Sequence, residues 1–257
     1  MEPNKFPSEV IDLPSKGYFY PQDNILRSGT IEIKYMTARE EDILTSRNLI
    51  QKGVVLDKLL QSLIVSPINY DDLLIGDKNA ILYASRILAY GKDYAVEIEC
   101  PSCSIKSEIV INLEKIENKK IDFEKYFVMG SRETTLELPA SKIKITIKLL
   151  NNGDERKIDS DLKGLKKLAA QSGSDFEMTT RLKNIIVSIN GDTTPQKINK
   201  FVSEDLLAKD SLYIRSFLLS NTPDIDSTSY FSCSSCGTEK NIPIPLNVEF
   251  FWPRGSR

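Results

Sequence analysis

Short stretches of alternating apolar and polar residues along this chain predict β-strands. One such stretch covers residues 31–36, and another covers residues 145–150. Similar stretches lie on both sides of a cysteine pair near residue 100 and of a second pair near residue 235. Because each pair lies between two strand-like stretches, we expect each at the tip of a β-hairpin.

Between these strands, apolar residues recur at helical spacing, and polar residues mark the expected helix ends. Thr37 is a candidate N-cap for a helix over residues 38–51, and Asp77 is a candidate N-cap for a helix that ends at Gly91. In the second half, we expect helices over residues 154–170, 175–189 and 204–219. Strands and helices mixed in this way indicate an α+β fold.

The four cysteines form two CxxC pairs, Cys100 with Cys103 and Cys233 with Cys236. Four thiolates match the tetrahedral ligand set of structural zinc, so we predict one structural zinc per chain in a zinc-ribbon-like site. The pairs are separated by 129 residues, whereas zinc ribbons usually have a gap of roughly 15–20 residues. A redox CxxC, a disulfide and two unrelated pairs of free thiols therefore remain alternatives. The strand-rich flanks disfavour the redox motif, which needs a βαβ setting.

A weak internal repeat explains the long gap. Residues 72–77 and 205–210 both read D-L-L-x-x-D, and each final aspartate precedes the next CxxC by 23 positions. Other similar segments occur in the same order in both halves: 13–16 and 138–142, 31–36 and 145–150, 63–66 and 185–188. We therefore predict two pseudo-duplicated halves, each with a strand, helices and a CxxC β-hairpin, joined by the four-cysteine site. The alternative is that D-L-L-x-x-D is only an acidic helix start used twice.

The repeat divides the chain into five segments. These are an extended N-terminal arm (1–29), a first repeat with a zinc knuckle (30–112), a connection (113–135), a second repeat with a zinc knuckle (136–247) and an aromatic C-terminal tail (248–257). Large aromatic residues such as those in the arm and the tail are enriched at protein interfaces. Six of them are candidates for partner contact, with packing in the chain's own core as the alternative: Tyr18, Phe19, Tyr20, Phe250, Phe251 and Trp252.

Composition excludes several classes of function. Of the 257 residues, 40% are apolar and 27% are charged, and the net charge is -2, which disfavours a general nucleic-acid binder. The chain has no histidine, which excludes Ser-His and Cys-His nucleophile arrangements, and it has no glycine-rich phosphate loop. We therefore predict that it is not an enzyme.

No apolar stretch approaches the roughly 20 residues of a membrane span, and no secretory signal is visible, so we expect no membrane partner and a reducing compartment.

Several segments together resemble a known family of phage proteins. Residues 14–21, 37–42, 76–91, 100–103 and 250–253 are similar to baseplate hub and hub-assembly proteins of T4-type contractile-tailed bacteriophages. The resemblance covers most of the chain and is clearest over residues 13–103. It implies a structural or chaperone-like assembly role, with other tail and baseplate proteins as partners in an oligomeric assembly. It also implies a location in the host bacterial cytoplasm during assembly, or in the finished virion.

A second hypothesis is a nucleic-acid-binding zinc-ribbon regulator. Such a protein would need Lys and Arg around its knuckles to neutralise phosphates. The chain instead has Glu97, Glu99 and Glu239 there, with only Lys106 and Lys240 nearby. A third hypothesis, a carboxylate-based hydrolase, has no specific sequence signal.

Overall fold

The computed structural model describes residues 6–168 and 176–252, and these contain both helices and strands, as expected for an α+β chain. The strands pair antiparallel in four small sheets, β1–β2, β3–β4, β5–β6–β7 and β8–β9. They are β1 (Ser8–Asp12), β2 (Thr30–Lys34), β3 (Asp93–Glu99), β4 (Lys106–Asn112), β5 (Glu133–Glu137), β6 (Lys144–Lys148), β7 (Ile186–Ile189), β8 (Thr228–Ser232) and β9 (Glu239–Pro243). The helices are α1 (Ala38–Thr45), α2 (Arg47–Lys52), α3 (Val55–Leu63), α4 (Ile75–Tyr90), α5 (Asn152–Leu168), α6 (Glu177–Ile185), α7 (Pro195–Lys200) and α8 (Ala208–Asn221).

One large apolar core extends through both halves of the chain. It includes Ile31 of β2 and Leu59 of α3 from the first half, and Ile147 of β6 and Ile214 of α8 from the second. Backbone hydrogen bonds join the halves as well, because Asn152 donates to the carbonyl of Leu73 at 2.8 Å. The two halves therefore fold around a common interior.

Helix α4 begins at Ile75, so Asp77 lies inside its first turn and is not the N-cap that we predicted. Its carboxylate is fully buried and accepts hydrogen bonds from the Ser15 amide at 2.9 Å and the Ser15 hydroxyl at 2.7 Å. The Tyr20 hydroxyl donates to the same carboxylate at 2.6 Å. Asp77 therefore holds the N-terminal loop on the start of α4.

Asp210, in the first turn of α8, makes a similar set of contacts. It accepts hydrogen bonds from the amides of Ala140 at 2.8 Å and Ser141 at 3.0 Å. Burial alone would raise its pKa, but these donors hold the pKa of Asp210 below its usual value. Asp210 therefore fixes the loop between β5 and β6 on α8.

Glu40 in α1 is buried with four hydrogen-bond donors around it. The Thr37 amide and hydroxyl donate to one carboxylate oxygen at 2.9 and 2.6 Å, completing a capping box. Lys34 and the Ser62 hydroxyl donate to the other oxygen at 2.9 and 2.6 Å. Burial alone would raise the pKa of Glu40, but the four donors together have the larger effect and lower it to about 2.

Because the folded-state pKa lies below the ordinary value of 4.5, the ionised Glu40 stabilises the fold at neutral pH. This contribution is lost as the pH falls from about 4.5 toward about 2. Glu40→Gln should therefore lower the free energy of unfolding by about 1–3 kcal/mol at pH 7. The difference between the two proteins, measured by urea unfolding at a series of pH values, should shrink through that window. A difference that is constant with pH would contradict this assignment.

Three predicted helices differ from the structure. The helix expected over 38–51 is divided at Ser46, whose backbone is extended. The helix expected over 175–189 ends at Ile185 because the β-branched run that follows pairs with β6 as strand β7. The helix expected over 204–219 begins only at Ala208, after a π-helical turn. For the helix expected over 154–170, α5 extends to Leu168, and positions 169–175 lie outside the described residues.

Candidate metal centre

The first cysteine pair lies at the tip of the hairpin formed by β3 and β4. The Cys100 amide donates to the carbonyl of Ile105 at 3.0 Å, and the Ser104 amide donates to the carbonyl of Cys100 at 2.9 Å. Ser104 adopts a left-handed conformation, with φ of 56°. This tight turn places Cys100 and Cys103 on the same side of the hairpin tip.

The second pair lies at the tip of the β8–β9 hairpin and has the same backbone pattern. The Cys233 amide donates to the carbonyl of Thr238 at 2.9 Å, and the Gly237 amide donates to the carbonyl of Cys233 at 2.9 Å. Gly237, with φ of 70°, occupies the left-handed position that Ser104 occupies in the first hairpin. Glycine adopts this conformation without steric cost.

The two hairpin tips bring all four sulfurs into one cluster. All four Sγ atoms lie within 4.8 Å of one another. The distance from Cys100 to Cys236 is 3.6 Å, and that from Cys103 to Cys233 is 3.7 Å. Zinc bound at about 2.3 Å to four tetrahedral sulfurs would place them about 3.8 Å apart. A disulfide needs about 2.05 Å, and the four cysteines are free thiols, so the cluster could hold a metal ion.

Thiolate formation within the cluster is uneven. The hydroxyl and amide of Thr238 lower the pKa of Cys236 to about 6. The amide of Ile105 favours the thiolate of Cys103, but burial and the neighbouring sulfurs raise the pKa of Cys103 to about 12. Negative charges this close repel one another, so complete ionisation of the cluster needs a cation among the sulfurs.

A small apolar cluster, separate from the main core, surrounds the sulfurs. Cys100 and Cys233 are buried together with Phe231, and Ile98, Ile109 and Ile242 pack around them. Cys236 is exposed. Because Cys103 is half-buried, solvent would reach a bound ion from the side of Cys236 and Cys103.

Comparison with known protein families decides the class of this protein. The T4 bacteriophage base plate protein family matches residues 11–252, which is nearly the whole chain. The chain belongs to this family. The T4 base plate family match includes both hairpin tips and all four cysteines of the candidate metal centre. No curated protein and no solved structure matches the chain.

The aromatic residues predicted as partner contacts lie mainly inside this base plate family protein. Phe19 and Tyr20 are buried, and the Phe19 ring contacts that of Phe127 with centroids 5.2 Å apart. Phe250 and Phe251 are also buried. In the structure, the side chains of these four residues fill the chain's own core, which is the alternative that the sequence left open.

The other two candidates, Tyr18 and Trp252, remain partly exposed. Tyr18 donates a hydrogen bond from its hydroxyl to the Phe127 carbonyl at 2.9 Å. Residues 8–12, expected within an extended N-terminal arm, form β1 and pair with β2. The described part of the arm is therefore integrated into the fold of this family member.

Thr238 is a residue of the site that the sequence did not indicate. Its hydroxyl lies 3.2 Å from the Cys236 sulfur. A threonine two positions after a cysteine is common in sequences, and only the hairpin geometry makes it a neighbour of the thiolate.

Among the helices that the structure describes, none is long and apolar enough to cross a bilayer.

Proposed function

We propose that this chain is a structural or assembly (chaperone-like) protein of a phage tail baseplate hub, folded around one structural zinc and without enzymatic activity. The match to the base plate protein family over residues 11–252 carries the proposal. A site with four thiolates leaves no coordination position open for a reacting water, so the metal would serve the fold. We infer other tail and baseplate proteins as partners, in the host cytoplasm during assembly and in the virion if the chain is retained there.

Zinc is the metal that best suits the cluster. Tetrahedral sites of four thiolates select zinc or iron over hard cations such as Mg²⁺ and Ca²⁺. The sulfur distances of 3.6 and 3.7 Å agree with the spacing of a closed zinc site. Because the ligands come from two hairpins far apart in sequence, binding would couple the two halves of the chain and add to folding stability.

We further propose that the halves arose by internal duplication, as the sequence repeat predicts. Three pairs of matched local structures support this proposal. The two hairpin tips share one backbone pattern, and the aspartates of α4 and α8 each fix a preceding loop. Glu40 and Asp154 each accept hydrogen bonds from the backbone amide three residues earlier and from the lysine six residues earlier.

The duplication would keep a connection between the repeats that begins at residue 113 and ends at residue 132, with two changes to the proposed boundaries. Residues 8–29 would join the first repeat, since β1 pairs with β2. The second repeat would begin with β5, whose first residue is Glu133.

If the two aspartates are equivalent, Asp77→Ala and Asp210→Ala should destabilise the protein to a similar extent. Each change leaves at least two buried donors without an acceptor, so we expect a loss of about 2–4 kcal/mol from each. Asp205→Ala, an exposed change in the turn before α8, should stay within about 0.5 kcal/mol of the wild type. Urea unfolding measures all three. A neutral result for either buried aspartate would contradict the equivalence.

The nucleic-acid alternative gains little support from the hairpins. The outward-facing residues of β3 and β4 include Glu97 paired across the strands with Glu108, and Glu99 paired with Lys106. In the second hairpin, Glu239 and Lys240 are both exposed. Charges of both signs give no continuous basic surface for phosphates.

Depletion of the protein during phage infection tests the proposed function. Without it, we expect heads but no complete baseplates in sedimentation profiles of the infected cells. Wild-type chain supplied from a plasmid should restore baseplates. Mass spectrometry of purified virions then distinguishes a retained component from an assembly factor. Normal baseplates in its absence would overturn the proposal.

A further inference from the structure

The helices α4 and α8 occupy corresponding positions but differ in how they are covered. Aligned on Asp77 and Asp210, each precedes the first cysteine of its hairpin by the same distance in sequence. All sixteen residues of α4 are buried or half-buried. Helix α8 leaves much of its surface exposed, including Leu212 at 55% and Leu219 at 73%.

The face of α4 is covered by segments from the second half of the chain. Gly76 lies directly against the backbone of Pro223. Asn79 donates a hydrogen bond to the side chain of Asp224 at 3.1 Å, and Arg86 donates to the carbonyl of Phe250 at 3.0 Å. This face of α4 is therefore an interface within the chain.

The matched positions on α8 are uncovered. Six α4 positions (76, 79, 80, 82, 83 and 86) are buried or half-buried, whereas all six counterparts on α8 are exposed. The counterparts of Asn79 and Arg86 are Leu212 and Leu219, which lie seven residues and therefore two turns apart on one side of the helix. We name this surface the α8 face: Lys209, Leu212, Tyr213, Arg215, Ser216 and Leu219.

The charge of the α8 face indicates what covers it. Lys209 and Arg215 flank the two leucines, and none of the six positions is acidic. Of the neighbouring acids, Glu204 and Asp205 lie in the turn before the helix, and Asp210 is buried and accepts hydrogen bonds from Ala140 and Ser141. A second copy of α8 would bring the same cations together, and like charges disfavour such a pair. An acidic segment with apolar residues at helical spacing would satisfy both the leucines and the cations.

We propose that the α8 face docks an acidic amphipathic segment of another baseplate protein. This proposal rests on the proposed baseplate function and names the surface through which one partner binds. The docked segment would cover α8 as Pro223, Asp224 and Phe250 cover α4. Binding would bury Leu212 and Leu219 and pair Lys209 and Arg215 with carboxylates of the partner.

Photo-crosslinking in infected cells tests the proposal. A benzoyl-phenylalanine replaces Leu212 in one variant, and in a control variant it replaces Val110 of β4, which is 65% exposed. Crosslinked peptides are identified by mass spectrometry. The position 212 variant is then combined with Lys209→Glu and Arg215→Glu, and unchanged thermal melting verifies that the exposed substitutions leave the fold intact.

We expect position 212 to crosslink to a segment of another baseplate protein with a net negative charge. The two charge reversals should reduce the yield at least about tenfold, equivalent to about 1.4 kcal/mol of binding. The proposal would be overturned by a crosslink yield no greater than at position 110, or by charge reversals that have no effect on the yield. A crosslink to a second copy of the chain, or to a segment without negative charge, would overturn it as well. Baseplate assembly is scored separately, in the depletion experiment. If no crosslink forms but baseplate assembly still requires the protein, the docking proposal fails and the proposed function stands.

Discussion

Cys100→Ser and Cys233→Ser are each expected to lower the free energy of unfolding by more than about 4 kcal/mol, in the range associated with loss of a structural metal. Each change removes one of the four sulfurs that the two hairpin tips bring together, and so one ligand of the proposed zinc. With three ligands, the site binds zinc far more weakly, and the coupling between the hairpins is lost. Unfolding in urea, with zinc present and EDTA absent, measures the effect.

The double variant should be little less stable than either single variant. Once one ligand is lost, the second cysteine no longer contributes through the metal, so the two effects are not additive. Ser102→Ala and Ser235→Ala, exposed changes within the same two turns, serve as matched controls and should have small effects. A double variant whose loss equals the sum of the single losses would indicate separate sites.

Gly76→Ala is expected to destabilise the protein by about 3 kcal/mol or more, through overpacking against a rigid backbone. A Cβ at this position would overlap the carbonyl oxygen of Pro223 and lie 2.8 Å from the Cα of Asp224. Both neighbours are main-chain atoms between α8 and β8, so a side-chain rotation cannot relieve the clash. The variant therefore tests how closely the second half packs on α4.

Gly164→Ala is the matched control, because Gly164 also lies in a helix but its Cβ position has no atom within 4 Å outside the backbone of its own helix and its two chain neighbours. Alanine is a better helix former than glycine by about 1 kcal/mol, so this variant should be slightly more stable than the wild type. Thermal or urea unfolding compares the two variants directly. Equal effects of the two substitutions would contradict the close contact at Gly76.

The clustering of the four cysteines is predictable from the sequence because its signal is local. Each CxxC lies between strand-forming stretches, and a hairpin tip with that spacing directs two thiols to one side. The proposed duplication, based on the repeat of D-L-L-x-x-D upstream of each pair, would account for the 129-residue gap. The burial of Asp77 and Asp210 under loops was less accessible, because it depends on contacts with residues about 60 to 70 positions away.

The role of the aromatic residues could not be predicted from the sequence. Phe250 and Phe251 are adjacent, and on a strand they would point to opposite faces. In the structure they lie in a 3-10 turn, with both rings buried and in edge-to-face contact at 5.6 Å. Periodicity also does not reveal which side of a helix is covered, so α4 and α8 look alike in sequence although only α8 has an open face.

Strand β7, residues 186–189, is another element that the sequence alone does not predict correctly. Its residues continue the apolar spacing of α6, so the sequence alone reads as one helix to residue 189. The structure ends the helix at Ile185 because Ile186 and Ile189 pair with β6 and complete its sheet. Tertiary pairing thus decides between two local structures of similar intrinsic preference.

Metal analysis of freshly purified protein tests the central claim most directly. Elemental analysis should find one zinc per chain, and X-ray absorption at the zinc edge should show four sulfur neighbours at about 2.3 Å. The zinc should be lost in the Cys100→Ser and Cys233→Ser variants and retained in Ser102→Ala. Less than half an equivalent of zinc in the wild-type protein, or a shell containing oxygen or nitrogen, would contradict the shared four-cysteine site.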